Sequence, residues 1–182
     1  MIIKKTPIED LLIIEPKVYS DSRGYFFESY NMKKLSELGI NIEFRQDNQS
    51  KSQKNVIRGL HYQLEPHAQT KLVRVFSGKI LDIALDLRRD SKTFGQWYSQ
   101  VLSAENHLQM LVPKGFAHGF SVLCNDTVVF YKCDEFYHPE SERGIIYNDE
   151  KLEIDWKVNK EHAMVSNKDA VLPSFDEAEY NF

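Results

Sequence analysis

Short apolar runs, separated by glycine, asparagine or proline, recur along most of this sequence and limit the folds open to it. Seven such runs follow Ile42, at residues 56–63, 70–77, 79–87, 96–102, 108–112, 115–123 and 127–136. Runs of this length and spacing are typical of the strands of an antiparallel sandwich or barrel. Aromatic residues make up 12% of the chain, which also favours strands, because aromatic side chains pack well on a pleated surface. The sequence therefore predicts an all-β fold.

Two of these runs, Thr70–Ser77 and Lys79–Leu87, are separated only by Gly78. Each run alternates apolar side chains with a period of two, and a single glycine between two strands favours a turn. We expect the two runs to form a β-hairpin across the core.

Helical patterns are few and short. Asn31 can cap a helix that runs to Leu38, where Gly39 supplies a left-handed end. A second short helix is expected around Lys160–Met164, before an acidic tail that we expect to wrap partly on the body. A length of 182 residues without a linker or internal repeat predicts a single domain over residues 1–182.

Composition excludes several classes of protein. The two cysteines, Cys124 and Cys133, do not form a CxxC pair or a disulfide framework, so each is expected to be a small buried residue. No targeting segment is recognised, and no apolar run approaches the ~20 residues of a membrane span. We expect a cytoplasmic protein that contacts no membrane.

The charge distribution favours a small anionic ligand. The formal net charge is −4, which makes general binding to nucleic acid a poor expectation, because that binding rests on many Lys and Arg contacts. Residues 45–89 nevertheless carry nine Lys and Arg against four Asp and Glu. A few of these cations, if they point inward, would suit a compact anion.

Gly59 interrupts a strand that carries two functional candidates, Arg58 and His61. Regular alternation would place Arg58 and His61 on opposite faces, whereas a bulge at the glycine would turn both inward. An inward histidine is a candidate general base, since its pKa lies near neutral pH. The alternative is a histidine that is hydrogen-bonded within the core.

Two further segments could carry chemistry. The run from Pro113 through Gly115 to His118 resembles the second signature of cupins. The first signature of metal-binding cupins has a His-x-His pair and a Glu, and here the corresponding stretch is His61-Tyr62-Gln63. Only His61 and His118 can therefore be placed as metal ligands, whereas a catalytic metal generally has about three. We therefore expect no metal. Strand alternation puts Tyr131 among inward apolar neighbours, either as an aromatic core residue or as a phenol with a chemical role.

The chain shares with one family a set of motifs that occur in the same order. They are Asp21-Ser22-Arg23-Gly24-Tyr25-Phe26, Phe44-Arg45-Gln46-Asp47-Asn48, Arg58-Gly59-Leu60-His61-Tyr62-Gln63, Lys71-Leu72-Val73-Arg74-Val75, Phe116-Ala117-His118-Gly119-Phe120, Tyr131-Lys132-Cys133, Tyr137-His138-Pro139-Glu140 and Ser166-Asn167-Lys168-Asp169. From about Ile14 to Pro173 the sequence resembles the dTDP-4-dehydrorhamnose 3,5-epimerase family. The resemblance implies an all-β, cupin-like jelly roll (a double-stranded β-helix barrel) with a few short peripheral helices. It also implies an enzyme without a cofactor or metal.

The resemblance assigns roles to four catalytic residues. In the family's pattern His61 matches the base that removes a proton next to a ketone, and Asp169 matches the carboxylate that supports it. Lys71 matches the cation that stabilises the enolate, and Tyr131 matches the acid that returns a proton from the opposite face. Inversion needs a base and an acid on two faces of the sugar.

The resemblance also implies a set of contacts with a dTDP-linked 4-keto-6-deoxy sugar. The matching positions are Arg23, Phe26, Glu28, Gln46, Asp47, Asn48, Arg58, His118, Tyr137, Glu142 and Lys168. Tyr137 would stack on the thymine ring, and guanidinium groups suit phosphate. Asp47 and Asn48 have a structural alternative in shaping a turn, and Glu142 has one as a solvated loop charge.

Three hypotheses of function are compatible with these residues. The first is a 3,5-epimerase in dTDP-L-rhamnose biosynthesis, which the family implies to be a homodimer. A single-site epimerase or 3,4-ketoisomerase on a related nucleotide sugar is a second. A non-catalytic sugar-nucleotide binding module, or a metal-dependent cupin, is a third.

Overall fold

The computed structural model describes residues 1–182, and most of its regular structure is strand. The strands are β1 (Ile2–Lys5), β2 (Leu12–Glu15), β3 (Val18–Asp21), β4 (Gly24–Phe27), β5 (Gln46–Ser52), β6 (Ile57–Gln63), β7 (Lys71–Ser77), β8 (Lys79–Asp86), β9 (Trp97–Ser103), β10 (Gln109–Val112), β11 (Phe116–Val122), β12 (Thr127–Cys133) and β13 (Glu142–Gly144). All seven strands predicted after Ile42 are present. The all-β prediction is confirmed.

Two antiparallel sheets face each other. One has the order β1-β2-β10-β7-β12-β5 and the other β13-β6-β11-β8-β9, while β3 and β4 form a separate two-stranded hairpin. Val73 and Val129 of the first sheet share a buried cluster with Ile80, Phe116 and Phe120 of the second. The expected jelly roll with few peripheral helices is therefore confirmed.

The outer face of the five-stranded sheet is also covered. Ile83 and Ala117 on the five-stranded sheet belong to a buried cluster with Trp156 and Phe175 of the C-terminal segment. This cover explains why β8 and β11 are buried on both faces. It also confirms that the acidic tail packs on the body.

The predicted hairpin at Gly78 is wrong. β7 pairs with β10 and β12, whereas β8 pairs with β9 and β11 in the other sheet. Gly78, with a φ of +80°, carries the chain from one sheet to the other. Both strands bury apolar residues on two faces, so their alternation does not reveal which strands pair.

The helices lie at the periphery. Helix α1 (Met32–Glu37) is capped by the side chain of Asn31, which accepts a hydrogen bond from the backbone N–H of Lys34. Leu35 is buried, whereas Leu38 is exposed. Three 3-10 helices are formed by Pro139–Ser141, Lys160–His162 and Asp169–Val171. None of these helices has the length and apolar character required to cross a membrane.

Candidate active site

A cleft of about 510 Å³ lies between the two sheets. Strands from both sheets line it, together with the segment that precedes and begins the last 3-10 helix. The lining side chains that can form hydrogen bonds or exchange protons are Ser50, Arg58, His61, Lys71, His118, Tyr131, Ser166, Lys168 and Asp169. A second cavity of about 250 Å³ shares His61, Lys71 and Tyr131 and extends to Gln46, Asn48, Tyr137 and Glu142.

A bulge at Gly59 turns two side chains into the cleft. In the pairing of β6 with β11, His61 lies opposite His118 and Arg58 lies opposite Phe120, so β6 holds one extra residue. The predicted bulge is confirmed. Gly59 has a φ of +112°, and a Cβ there would lie 2.6 Å from the Cα of Gly119. Only glycine fits this close approach of two strands.

His61 is partly exposed and pairs with the buried Asp169. The Nε2 atom of His61 lies 2.8 Å from Oδ1 of Asp169, and the backbone N–H of Gly59 donates to Oδ2 at 3.3 Å. Burial opposes the ionisation of Asp169, but the hydrogen bond and charge of His61 outweigh it and lower the pKa of the carboxyl. Asp169 is therefore a carboxylate near neutral pH. Because Nε2 is engaged, Nδ1 is the nitrogen of His61 left for a ligand.

Lys71 and Tyr131 come from the opposite sheet. They lie on neighbouring strands, β7 and β12. Burial lowers the pKa of Lys71, and Cys133, Asp82 and Glu142 oppose this shift. Burial raises the pKa of Tyr131, with a further contribution from Cys133, so the phenol keeps its proton at neutral pH. The cleft thus has the imidazole of His61 on one wall and the phenol of Tyr131 with the amino group of Lys71 on the other.

Two cations and a second histidine complete the inner cleft. Arg58 donates from Nε and Nη2 to Oγ of Ser52, at 3.1 Å each. Lys168 pairs with Glu142 at 2.6 Å. Nε2 of His118 lies 2.7 Å from Oδ1 of Asp82. Of these three groups Arg58 alone has no carboxylate partner, so its guanidinium is the cation available to a phosphate group.

A hydrogen-bonded cluster surrounds Tyr137 at the second cavity. The Tyr137 hydroxyl donates to Glu142 at 2.7 Å, and its backbone N–H donates to Oε1 of Gln46 at 2.9 Å. Gln46 in turn donates to Asn48. The ring of Tyr137 is about half exposed, at 51%, which leaves a flat aromatic surface available for stacking.

The structure does not bring four of the expected contact residues to the cleft of their own chain. Arg23 pairs with Asp21 on the β3–β4 hairpin, and Phe26 on the same hairpin is 70% exposed. Glu28 pairs with Lys34 at 2.8 Å. Asp47 points away from the cleft and pairs with Lys132, because its neighbours on β5 alternate inward.

Some cleft residues were not predicted from the sequence. Ser50 lies two positions after Asn48 on the same face of β5, so alternation alone could have identified it. The helix expected around Lys160–Met164 is a 3-10 helix that ends at His162, and Met164, Val165 and Ser166 follow it in a segment without a helix or strand. No group of three or more His, Cys, Asp or Glu side chains is placed to hold a metal ion.

Comparison with known proteins shows one family. The model of the dTDP-4-dehydrorhamnose 3,5-epimerase family matches residues 5–177. The chain is 50% identical to the enzyme of that name from Salmonella typhimurium, over 98% of this chain and 97% of the relative. The crystal structure of the enzyme of that name from Elizabethkingia anophelis superposes with a TM-score of 0.93 at 52% identity, covering 97% of both chains.

A solved structure with a bound sugar nucleotide is also similar. It is the dTDP-6-deoxy-D-glucose-3,5-epimerase from Legionella pneumophila in complex with dTDP-4-keto-L-rhamnose, with a TM-score of 0.92 and 49% identity over 96% of this chain and 93% of that one. Agreement of a family model, full-length relatives and solved structures leads to one conclusion: this chain is a member of the dTDP-4-dehydrorhamnose 3,5-epimerase family.

Proposed function

We propose that this chain inverts carbons 3 and 5 of dTDP-4-dehydro-6-deoxy-D-glucose and so supplies dTDP-4-dehydro-L-rhamnose for dTDP-L-rhamnose biosynthesis. Family membership supports this activity. The observation that carries the mechanism is the position of His61 on one sheet, with Asp169 of the last 3-10 helix beside it, and of Tyr131 on the other sheet. A sugar between the two walls has a base on one side and an acid on the other.

The chemistry proceeds through an enolate. Nδ1 of His61 takes the proton from the carbon next to the ketone, and the electron pair of the broken C–H bond moves to the carbonyl oxygen. Asp169 stabilises the imidazolium that forms, and Lys71 stabilises the negative oxygen. Tyr131 returns a proton to the opposite face of the same carbon. Exchange with water then restores the proton of the phenol and removes that of the imidazolium.

The remaining cleft residues bind the nucleotide and sugar in this proposal. Arg58 and Lys168 bring cations suited to the diphosphate. Tyr137 presents its exposed ring to thymine. Glu142 holds the Tyr137 hydroxyl and Lys168 in place by accepting a hydrogen bond from each. The proposed polar contacts are His118, Gln46 and Asn48.

We further propose that the enzyme is a homodimer. Arg23, Phe26 and Glu28 match family positions that contact ligand, yet they lie outside the cleft of their own chain. The hairpin that holds Arg23 and Phe26 also exposes Tyr19 and Tyr25, at 55% and 60%, which is typical of a surface that another protein covers. A second copy that received this hairpin would complete its cleft.

Mixed dimers test this arrangement. His61→Ala and Arg23→Ala chains are each expected to be nearly inactive as separate dimers. In a mixed dimer the cleft with intact His61 would receive intact Arg23 from the other chain, so an equal mixture should recover about a quarter of wild-type activity. An absence of recovery, with mixed dimers demonstrated by mass spectrometry, would refute exchange of the hairpin. Asp47 has no assigned contact with the substrate in either chain.

The extent and location of the protein are also proposed. Residues 1–182 would form one domain, because both sheets contribute to one buried cluster. We propose a cytoplasmic enzyme, which agrees with two unpaired cysteines.

Proton NMR in deuterium oxide tests the activity. The protein is incubated with dTDP-4-dehydro-6-deoxyglucose, and a reductase with NADPH then traps the product. Deuterium at both carbon 3 and carbon 5, with trapping as the L-rhamnose nucleotide, is expected. Exchange at one carbon would indicate a single-site epimerase or ketoisomerase, and no exchange would indicate a binding module or another sugar nucleotide.

A further inference from the structure

Asp82 is a fully buried carboxyl group that the mechanism above does not use. It lies in the middle of β8, and its side chain points to the interior between the sheets, as those of Ile80 and Ala84 do. One oxygen, Oδ1, lies 2.7 Å from Nε2 of His118. The other, Oδ2, is buried without a hydrogen-bond partner. Such an oxygen is costly to bury, so its presence needs an explanation.

The partner of Asp82 is part of the cleft. His118 lies directly opposite His61 in the pairing of β6 with β11, and both imidazoles line the same cavity. Each imidazole has its Nε2 atom next to a carboxylate, Asp169 for His61 and Asp82 for His118. The ionised form of Asp82 accepts a hydrogen bond only from a protonated Nε2, and this tautomer leaves Nδ1 of His118 for a ligand.

Asp82 also interacts electrostatically with Lys71 on the opposite wall of the cleft. Lys71 lines the cleft and has no carboxylate within ion-pair distance. Burial raises the pKa of Asp82, and His118 and Lys71 oppose that shift. Burial lowers the pKa of Lys71, and Cys133, Asp82 and Glu142 oppose it. Asp82 and Lys71 therefore each favour the charged form of the other.

We infer that Asp82 is a positioning residue for the epimerisation, one that holds His118 as the Nε2–H tautomer. His118 then presents Nδ1 as an acceptor to a sugar hydroxyl. Asp82 touches neither the substrate nor the reacting carbons and acts through His118. The inference rests on the proposed epimerase function.

Asp82→Asn is the main variant, because asparagine has nearly the same shape. Its amide group can donate to Nε2 of His118 and so move the imidazole proton to Nδ1. We expect kcat to fall about 100-fold or more, with a smaller change in KM, since loss of one preorganised group commonly has such an effect. Asp86→Asn is the matched control. Asp86 is fully buried on the same strand but bonds Arg88, Ser91 and Thr93 away from the cleft, so kcat should stay within about threefold of wild type.

A double variant tests whether Asp82 acts through His118. If it does, adding Asp82→Asn to His118→Asn should lower kcat by much less than it does in the wild-type background. Equal losses in the two backgrounds would refute action through His118.

Nitrogen-15 NMR of the histidine side chains gives a readout that does not depend on substrate. His118, assigned by its loss in His118→Gln, should show a protonated Nε2 and an unprotonated Nδ1 at pH 7, and Asp82→Asn should reverse this pattern. A wild-type His118 that is protonated on Nδ1 would overturn the inference, even if Asp82→Asn failed to fold.

Failure of the inference can be separated from failure of the proposed function. Absence of deuterium exchange in the wild-type enzyme would refute the function. The role of Asp82 alone would be refuted by a different set of results. The wild-type enzyme would exchange deuterium at both carbons, while Asp82→Asn would keep a kcat within about threefold of wild type and the same His118 tautomer.

Discussion

Replacement of Gly59 by alanine should damage both the fold and the active site. The added methyl group would lie 2.6 Å from the Cα atom of Gly119 and 2.7 Å from the carbonyl oxygen of His118. Both atoms belong to the backbone of β11, which cannot move aside as a flexible side chain could. Strands β6 and β11 would have to separate locally, or Gly59 would have to leave its bulged conformation.

The expected cost has two parts. A left-handed φ costs an alanine about 1–2 kcal/mol, and overpacking of a well-packed region costs about 1–3 kcal/mol. The free energy of unfolding should therefore fall by about 2–5 kcal/mol, against a typical total of about 5–15 kcal/mol. The variant is expected to fold. Any shift of residue 59 also disturbs the bond from its N–H to Asp169, and a displacement of about 1 Å at a catalytic group can reduce the rate about 100-fold.

Urea unfolding and the coupled reductase assay measure the two effects. Gly39→Ala is the matched control, because Gly39 also has a positive φ, +89°, but no atom lies within 4 Å of the added methyl group. Gly39→Ala should cost about 1–2 kcal/mol and leave kcat unchanged. If Gly59→Ala lost no more unfolding free energy than Gly39→Ala and kept its kcat, the close approach of the two strands could not be the reason for glycine at this position.

Three further predictions follow from the same geometry. Asp169→Asn should lower kcat about 100-fold or more with little effect on KM, because His61 loses the carboxylate that supports its imidazolium; steady-state kinetics measure this, and an unchanged kcat would contradict it. Tyr131→Phe should retain deuterium exchange at one carbon or more while losing the trapped L-rhamnose product, and normal product formation would remove the phenol from the mechanism. Burial opposes ionisation of Asp86, but hydrogen bonds from Arg88 and two hydroxyl groups lower the pKa of this carboxyl. The stability from Asp86 is therefore complete above its ordinary pKa of 3.8 and is lost as pH falls through the lowered value in the folded state. Wild type should exceed Asp86→Asn by about 1–3 kcal/mol in unfolding free energy at pH 7, and this difference should shrink below about pH 4.

Strands that present one face to the apolar core were predicted from the sequence. Strand β5, which presents one face to the cleft, was not. Strand β5 has the sequence QDNQSKS, without a single apolar residue. Its inward side chains, Gln46, Asn48 and Ser50, are polar because they line the two cavities. Hydrophobic periodicity cannot detect such a strand. The motif that contains Gln46 and Asn48 was recognised only through the family resemblance.

The prediction of the site depended on distance along the chain. The bulge at Gly59 could be predicted because Arg58 and His61 lie within one strand and one glycine separates their faces. The pairing of His61 with Asp169, 108 positions apart, came from the resemblance, since no local pattern joins them. Asp82 was not singled out, because an aspartate within a buried strand gives no sign of the histidine that it will meet.

The position of Asp169 has a consequence for the order in which the enzyme matures. The ribosome makes β6 and its histidine long before it makes the segment that brings the carboxylate, and domains fold in step with synthesis at about 5–20 residues per second. A nascent chain that has already formed both sheets still has a base without its partner. Catalytic competence therefore arises only after the segment that carries Asp169 has been made and has docked beside His61. A chain truncated before Asp169 would have His61 without its carboxylate partner.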